Sequence, residues 1–347
     1  MNQKVLAKSA LVKSIVPALL GCIATSQLLS ISSSAAATKA SSAKGEAAAI
    51  KQKASSASKE TAKVLAQDKA QDSGNGPKSA DKNRFDQSYA LFGHELAKYL
   101  DNGNVHYKRW KENPAALDQF LQSLSDLPKS EYERFSPEQK KAFWLNAYNA
   151  ITIKVVLDNY PIKGNQSQYP PSSFRQIPGE WENGKFKIMG APVTLYEIEH
   201  ERLRHELPDP RLHFAVVCAS RSCAKLSPEP FVAENIEQRL DQCTQDFFAD
   251  PKNLTVNPRT GVISVNKIFS WFTLDFASKA GYAKRSFPPP MDEDIISSYV
   301  SFYVPTDERD VIAKFRAQDK LVLDYLPYDW ALNDADENAD ENAGKTK

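Results

Sequence analysis

The side chains best suited to covalent chemistry in this chain are two cysteines, Cys218 and Cys223, which flank Arg221 in the run CASRSC. A thiol becomes a nucleophile when a neighbour stabilises its thiolate, and a cation such as Arg221 is one kind of neighbour that does so. The same two residues also fit a structural disulfide, or thiols packed as small apolar groups. Their separation is not the two-residue gap of a thioredoxin-like pair, which argues against that redox role. His200 falls on an apolar stripe with Tyr196, Leu203 and Leu207 if its segment is helical. A polar ring facing a core needs a partner, so His200 is either the base beside Cys218 or a hydrogen-bonded core histidine. His213 sits in an apolar run and reads as a second buried ring. Asn146 and Asn149 lie one helical turn apart in the most apolar stretch of the chain. An unpaired buried amide costs about 1–3 kcal/mol, so both must clamp backbone groups or hold a ligand, and Asn149 is also placed to orient a catalytic histidine. Ser220 and Ser222 lack the G-x-S-x-G context of a serine nucleophile. His200 and His205 are five apart, so on an α-helix they point apart, and no metal or other cofactor is expected.

Several elements must position these groups. Ser136-Pro137-Glu138-Gln139 opens a helix with Ser as N-cap, Pro at the first position and Gln at the third. The stretch that follows, AFWLNAYNAITIKVVL, is apolar on nearly every face, which predicts a buried central helix ending before Pro161. Helices are also predicted near residues 86–100 and 114–126. GKFKIMGAPVTL alternates around Gly190 and predicts a β-hairpin. Thr194-Leu195-Tyr196-Glu197 is a capping box opening the helix that carries His200. LHFAVV, apolar on both faces, predicts a covered strand that ends at Cys218 and delivers the cysteine loop to a cleft. Beyond the loop come a long helix over FVAENIEQRLDQCTQDFF, a hairpin over LTVNPRTGVISV, further helices and a late strand LVLDYL. Asp275, Asp329 and Trp330 fall late in the chain, and Asp329 reads as a turn or cap residue. Helices before, between and after a few strands predict an α+β domain: a central buried helix and a small mixed sheet surrounded by helices.

The composition separates the chain into regions. Residues 1–37 hold a basic start, an apolar stretch and small residues ending in Ala35 and Ala37, the plan of a signal peptide. Leu19-Leu20-Gly21-Cys22 also fits a lipobox, which makes lipidation at Cys22 the alternative. Residues 38–83 are rich in Ala, Ser and Lys with almost nothing to bury, so a disordered linker is expected. Residues 84–332 form the expected globular domain, and 333–347 an acidic tail. The domain carries 30 basic and 33 acidic groups, too even a balance to suggest nucleic acid as a partner. These features predict a periplasmic or secreted protein, or alternatively a lipoprotein anchored through Cys22, with an unknown envelope protein or peptide as partner and no membrane span after processing.

FWLNAYNAITI, VTLYEIEHERLR, DPRLHFAVVCASRSCAKL, VISVNKIFSWFTLDF and LDYLPYDWALN together resemble, in order, the domain of unknown function 547 family. The resemblance covers most of residues 84–332 and implies an exported bacterial-type member. Where the family loop often reads cysteine-proline, this chain has Cys223-Ala224. The family supplies no reaction. Two functions therefore stand side by side. One is an interaction domain of the envelope, with Asn146, Arg221, Cys223 and His213 as binding or clamping groups. The other is a thiol-dependent hydrolase or acyl transferase using Cys218, His200 and Asn149.

Overall fold

A computed structural model describes residues 84–179, 181–184, 186–282 and 290–336. The proposed signal segment, the lipidation candidate Cys22, the linker 38–83 and residues 337–347 of the acidic tail lie outside the described residues.

The chain is an α+β domain organised around one helix. After α1 (Ala90–Tyr99) and α2 (Ala115–Asp126) comes α3 (Pro137–Asn159), the longest element. Its start is the expected capping box: Ser136 Oγ accepts from the Gln139 N–H at 3.2 Å, and Gln139 Oε1 accepts from the Ser136 N–H at 2.9 Å. Fifteen of its 23 residues are buried, so no face is left for solvent over most of its length. This helix is the middle of a first apolar cluster that includes Phe92, Trp110, Phe120, Phe143, Ile151 and Leu195. Burying each such large side chain stabilises the fold by about 1.5–3 kcal/mol.

β1 (Phe186–Ile188) and β2 (Ala191–Val193) pair antiparallel with Ile188 opposite Ala191. Met189 and Gly190 both take positive φ, 52° and 73°, as a two-residue turn matched to strand twist requires. Thr194 then caps the next helix, accepting from the Glu197 N–H at 3.0 Å, while Glu197 accepts from the Thr194 N–H at 2.7 Å. That helix does not continue as an α-helix. After Leu195–Glu197 it widens into a π-helix over Ile198–His205.

The predicted strand over residues 212–217 is absent. Pro210–Phe214 is a 3-10 helix capped by Asp209, whose Oδ1 accepts from the Arg211 N–H at 3.0 Å. A short apolar run does not by its pattern distinguish a strand from a buried helical turn. The residues that follow, Ala215 and Val217, bond to a side chain of α3 instead of to a sheet.

α4 (Ile236–Ala249) leads to the expected mixed sheet. β3 (Leu254–Val256) pairs antiparallel with β4 (Val262–Val265), which pairs parallel with β5 (Val322–Tyr325). The sheet, α4, Phe269, Phe276, α5 (Asp292–Val300) and α6 (Thr306–Ala317) enclose a second apolar cluster. The segment 212–224 belongs to both clusters: Leu212, Ala215, Val216, Val217 and Ala219 to the first, Phe214 and Ala224 to the second.

The ordered domain runs past the expected end at Leu332. Asn333 and Asp334 are buried, and the Asn333 carbonyl accepts from the Val105 N–H at 2.9 Å. The Tyr160 hydroxyl donates to Asp334 at 2.8 Å. The Tyr107 hydroxyl donates to the Asn333 side-chain oxygen at 2.8 Å, so both polar side chains find partners inside, which an acidic composition does not reveal. Among the described residues no helix is long and apolar enough to cross a membrane.

Candidate functional site

Cys218 and Cys223 are both free thiols, and their sulfurs lie 3.1 Å apart. Ala219, between them, has φ 59°. That left-handed conformation is uncommon for a residue with a Cβ and marks a loop held by its surroundings. The hold comes from the end of the chain. The Asn333 N–H donates to the Ala219 carbonyl at 3.0 Å, and the Arg221 N–H to the Ala331 carbonyl at 2.9 Å. Ser222 Oγ accepts from the Asp329 N–H at 2.8 Å, and Asn266 Nδ2 donates to the Ser222 carbonyl at 2.9 Å.

Three polar groups surround the Cys218 sulfur. Cys223 Sγ and Ser220 Oγ are both 3.1 Å away, and the Tyr328 hydroxyl is 3.4 Å away. The contact with Cys223 is the largest influence and, with the Ser220 and Tyr328 hydroxyls, holds the Cys218 thiol below its ordinary pKa although burial opposes it. Cys223 moves the other way, raised by the same contact and by burial. Of the two, Cys218 is the thiol held closer to ionisation.

Behind Cys218 lies a carboxyl that sequence reasoning missed. Glu199 is 6% exposed and accepts from the Tyr148 hydroxyl at 2.9 Å. Burial lifts its pKa from 4.5 to about 7; the Tyr148 bond lowers it, and the nearby Cys218 raises it further. In EIEHERLRH a glutamate reads as part of a solvated charged face. The π winding changes that. Groups five apart share a side, so Ile198 and Leu203 both face the core, and Glu199 turns inward on the neighbouring side.

His213 is buried and bonds through Nε2 to Asp275 Oδ2 at 2.8 Å. Arg204 donates to the same carboxylate at 2.6 and 3.2 Å. Burial opposes ionisation of Asp275, but these bonds hold its pKa down at about 2. Burial lowers the pKa of His213 while Asp275 raises it. A carboxylate at Nε2 makes that nitrogen the donor, so neutral His213 keeps Nδ1 as an acceptor. His200 packs against Tyr196 at a tilt, with centroids 4.2 Å apart, and its Nδ1 contacts the Arg204 guanidinium.

These groups line one cavity of about 440 Å³, with Glu199, His200, His213, Cys218 and Cys223 in its wall. Its remaining wall is mostly aromatic. Trp271 and Trp330 stack at 5.5 Å, Tyr328 lies 4.6 Å from Trp330, and Tyr169 meets Trp330 edge-on at 5.6 Å. Arg175 adds a cation over Tyr169 and Trp181, at 5.8 and 5.9 Å.

His200 thus shares the cavity with Cys218, but the groups bonded to the Cys218 sulfur are Cys223, Ser220 and Tyr328. Asn149 does not reach the cavity chemistry directly. Its amide donates to the Ala215 carbonyl at 3.0 Å and its oxygen accepts from the Val217 N–H at 2.9 Å. Asn146 grips Phe231 in the same way, at 2.7 and 2.9 Å. Arg221 lines a separate cleft with Asn102, Lys225, Asp250 and Lys252. Asp329 acts as a turn residue, accepting from the Ala331 N–H at 2.9 Å.

Residues 132–248 match the family model described as "Protein of unknown function, DUF547", which supports the family resemblance. The matched span contains Glu199, His200, His213, Cys218 and Cys223, and ends before Asp275, Tyr328 and Trp330. No curated protein and no solved structure matches the chain.

Proposed function

We propose that the domain is a thiol-dependent acyl transferase or hydrolase, with Cys218 as nucleophile and Glu199 as the group that carries the proton. The observation that supports this most is the opposite displacement of the two acids: the Cys218 thiol is pulled down while the Glu199 carboxyl is pushed up to about 7. Matched proton affinities near neutral pH are what a nucleophile and its general acid–base partner require. Glu199 replaces His200 in this reading, because the His200 Nδ1 faces the Arg204 cation.

In the reaction the Cys218 sulfur attacks an acyl carbon, a C–S bond forms, and the carbonyl oxygen takes up the negative charge. Collapse breaks the bond to the leaving amine or alcohol, which takes the Glu199 proton. The Glu199 carboxylate then removes a proton from water, or from an acceptor nucleophile, as that attacks the thioester and frees Cys218. His213, fixed by Asp275, offers a second proton acceptor in the same wall. Asn149 is a positioning residue: it fixes Ala215 and Val217, immediately before the nucleophile.

Intact-mass analysis of the reduced protein with thioester and amide acyl donors tests the reading. A covalent acyl adduct on Cys218, lost in Cys218→Ala and slow to turn over in Glu199→Gln, is the expected result. Failure of every donor to acylate Cys218 faster than Cys243 overturns it.

An interaction role has its own support in the aromatic mouth and Arg175, which suit a ligand with flat or apolar groups and an anionic end. The basic, apolar and small-residue start of the chain supports export, with cleavage near Ala37 and lipidation of Cys22 as the alternative. Mass spectrometry of the mature N-terminus separates the two, and a retained Met1 rejects both.

A further inference from the structure

We infer that Cys218 and Cys223 form a hydroperoxide-reactive pair, in which Cys218 takes up an oxygen atom and Cys223 closes an internal disulfide. The inference shares a nucleophile with the acyl-transfer reading but does not rest on it.

The geometry is that of an attacking and a resolving thiol. The sulfurs are already 3.1 Å apart, so a bond of about 2.05 Å needs an approach of only about 1 Å. Backbone groups hold Cys223 in place: its sulfur accepts from the Cys218 N–H at 3.1 Å and lies 3.6 Å from the Val216 carbonyl oxygen. Both thiols line the cavity, so an oxidant that enters it meets them. The Ser220 and Tyr328 hydroxyls, 2.8 Å from each other, sit beside the sulfur and can donate to the departing oxygen. The third cysteine supplies a contrast. Cys243 packs against both apolar clusters, and burial pushes its thiol up to about 11.

The chemistry balances with one hydroperoxide. The Cys218 thiolate attacks the terminal oxygen; an S–O bond forms, the O–O bond breaks, and the departing alkoxide or hydroxide is protonated to alcohol or water. Cys223, losing its proton, then attacks the Cys218 sulfur. An S–S bond forms, the S–O bond breaks, and hydroxide leaves as water with that proton. Two thiols are oxidised, one hydroperoxide is reduced, and a dithiol restores the pair.

The test is one equivalent of hydrogen peroxide added to the reduced full chain, followed by alkylation and peptide mass mapping. The expected product is a Cys218–Cys223 cross-linked peptide lighter by two hydrogens, with Cys243 still open to alkylation. In Cys223→Ser the oxidation should stop at Cys218 as a dimedone-trapped sulfenic acid. Should that variant fail to fold, dimedone added to the wild type during the reaction should trap the same species. Oxidation of Cys218 less than about tenfold faster than that of Cys243 overturns the inference, as does oxidation that never links the two cysteines. Acyl adduct formation on the reduced protein is read separately, so either proposal can fail alone.

Discussion

Two sets of polar groups are joined through α3, where Tyr148 bonds Glu199 and Asn149 bonds Val217 beside Cys218, and they behave in opposite ways. On α3, Asn146 and Asn149 have each amide atom paired to a backbone group: Phe231 on both sides for one, Ala215 and Val217 for the other. In the cavity wall, half-buried Cys218 and buried Glu199 lie among partners that leave their proton affinities displaced. A neutral amide with complementary donors and acceptors is satisfied by geometry alone. An acid is not, because burial and hydrogen bonds act unequally on its two protonation states: burial wins at Glu199, and the bonds win at Cys218. The amides therefore build the wall, and the acids in the wall are left able to exchange protons.

The contrast breaks most sharply at Cys218. The native protein should react fast with iodoacetamide at neutral pH, and replacing Cys218 with Ser should remove that reaction and leave thermal stability close to that of wild type. Persistence of the fast reaction would mean that another thiol carries it.

Asn149→Ala comes next, since it strands a carbonyl and an N–H in the core and should cost roughly 2–4 kcal/mol in denaturant unfolding. It should also slow Cys218, because Val217 is no longer held. Asn146→Ala should cost a similar amount and leave Cys218 unchanged in whatever fraction stays folded. Equal effects of both substitutions on Cys218 reactivity would erase the distinction between them.

Glu199 gives a smaller, pH-dependent effect. Its folded pKa is raised from 4.5 to about 7, so the folded state holds the proton more tightly than the unfolded chain does. Its contribution is full below 4.5 and is lost as the pH rises through about 7. Melting temperature should therefore fall between pH 5 and pH 8 in wild type, by the equivalent of about 2–3 kcal/mol at most. The fall should be much shallower in Glu199→Gln. Identical pH profiles would place the carboxyl in water. The smallest effect belongs to residues 38–83, which offer almost nothing to bury. A chain beginning at Arg84 should unfold within about 0.5 kcal/mol of one beginning at Thr38, and a large loss would show that the segment contributes contacts.

What could be read directly was local. Ser136, Pro137 and Gln139 cap a helix through neighbours three residues away, and Thr194 with Glu197 does the same. Alternation around Gly190 and Gly261 marks hairpins because their partners are adjacent in the chain. The candidate list also held Cys218, Cys223, His200 and His213, since their chemistry is in their side chains.

The sequence by itself determined the long buried helix, the caps, the hairpins and the α+β class, because each depends on periodicity or contacts within one segment. Tertiary structure alone decided how the site is assembled. The segment before Cys218 wound into a 3-10 turn and took its hydrogen bonds from Asn149 on another helix. The π-helix turned Glu199 inward, Asp275 came from 62 residues downstream to meet His213, and Tyr328 came from 110 residues away to meet Cys218. A proton affinity depends on what surrounds a group in space, and no spacing along the chain encodes that.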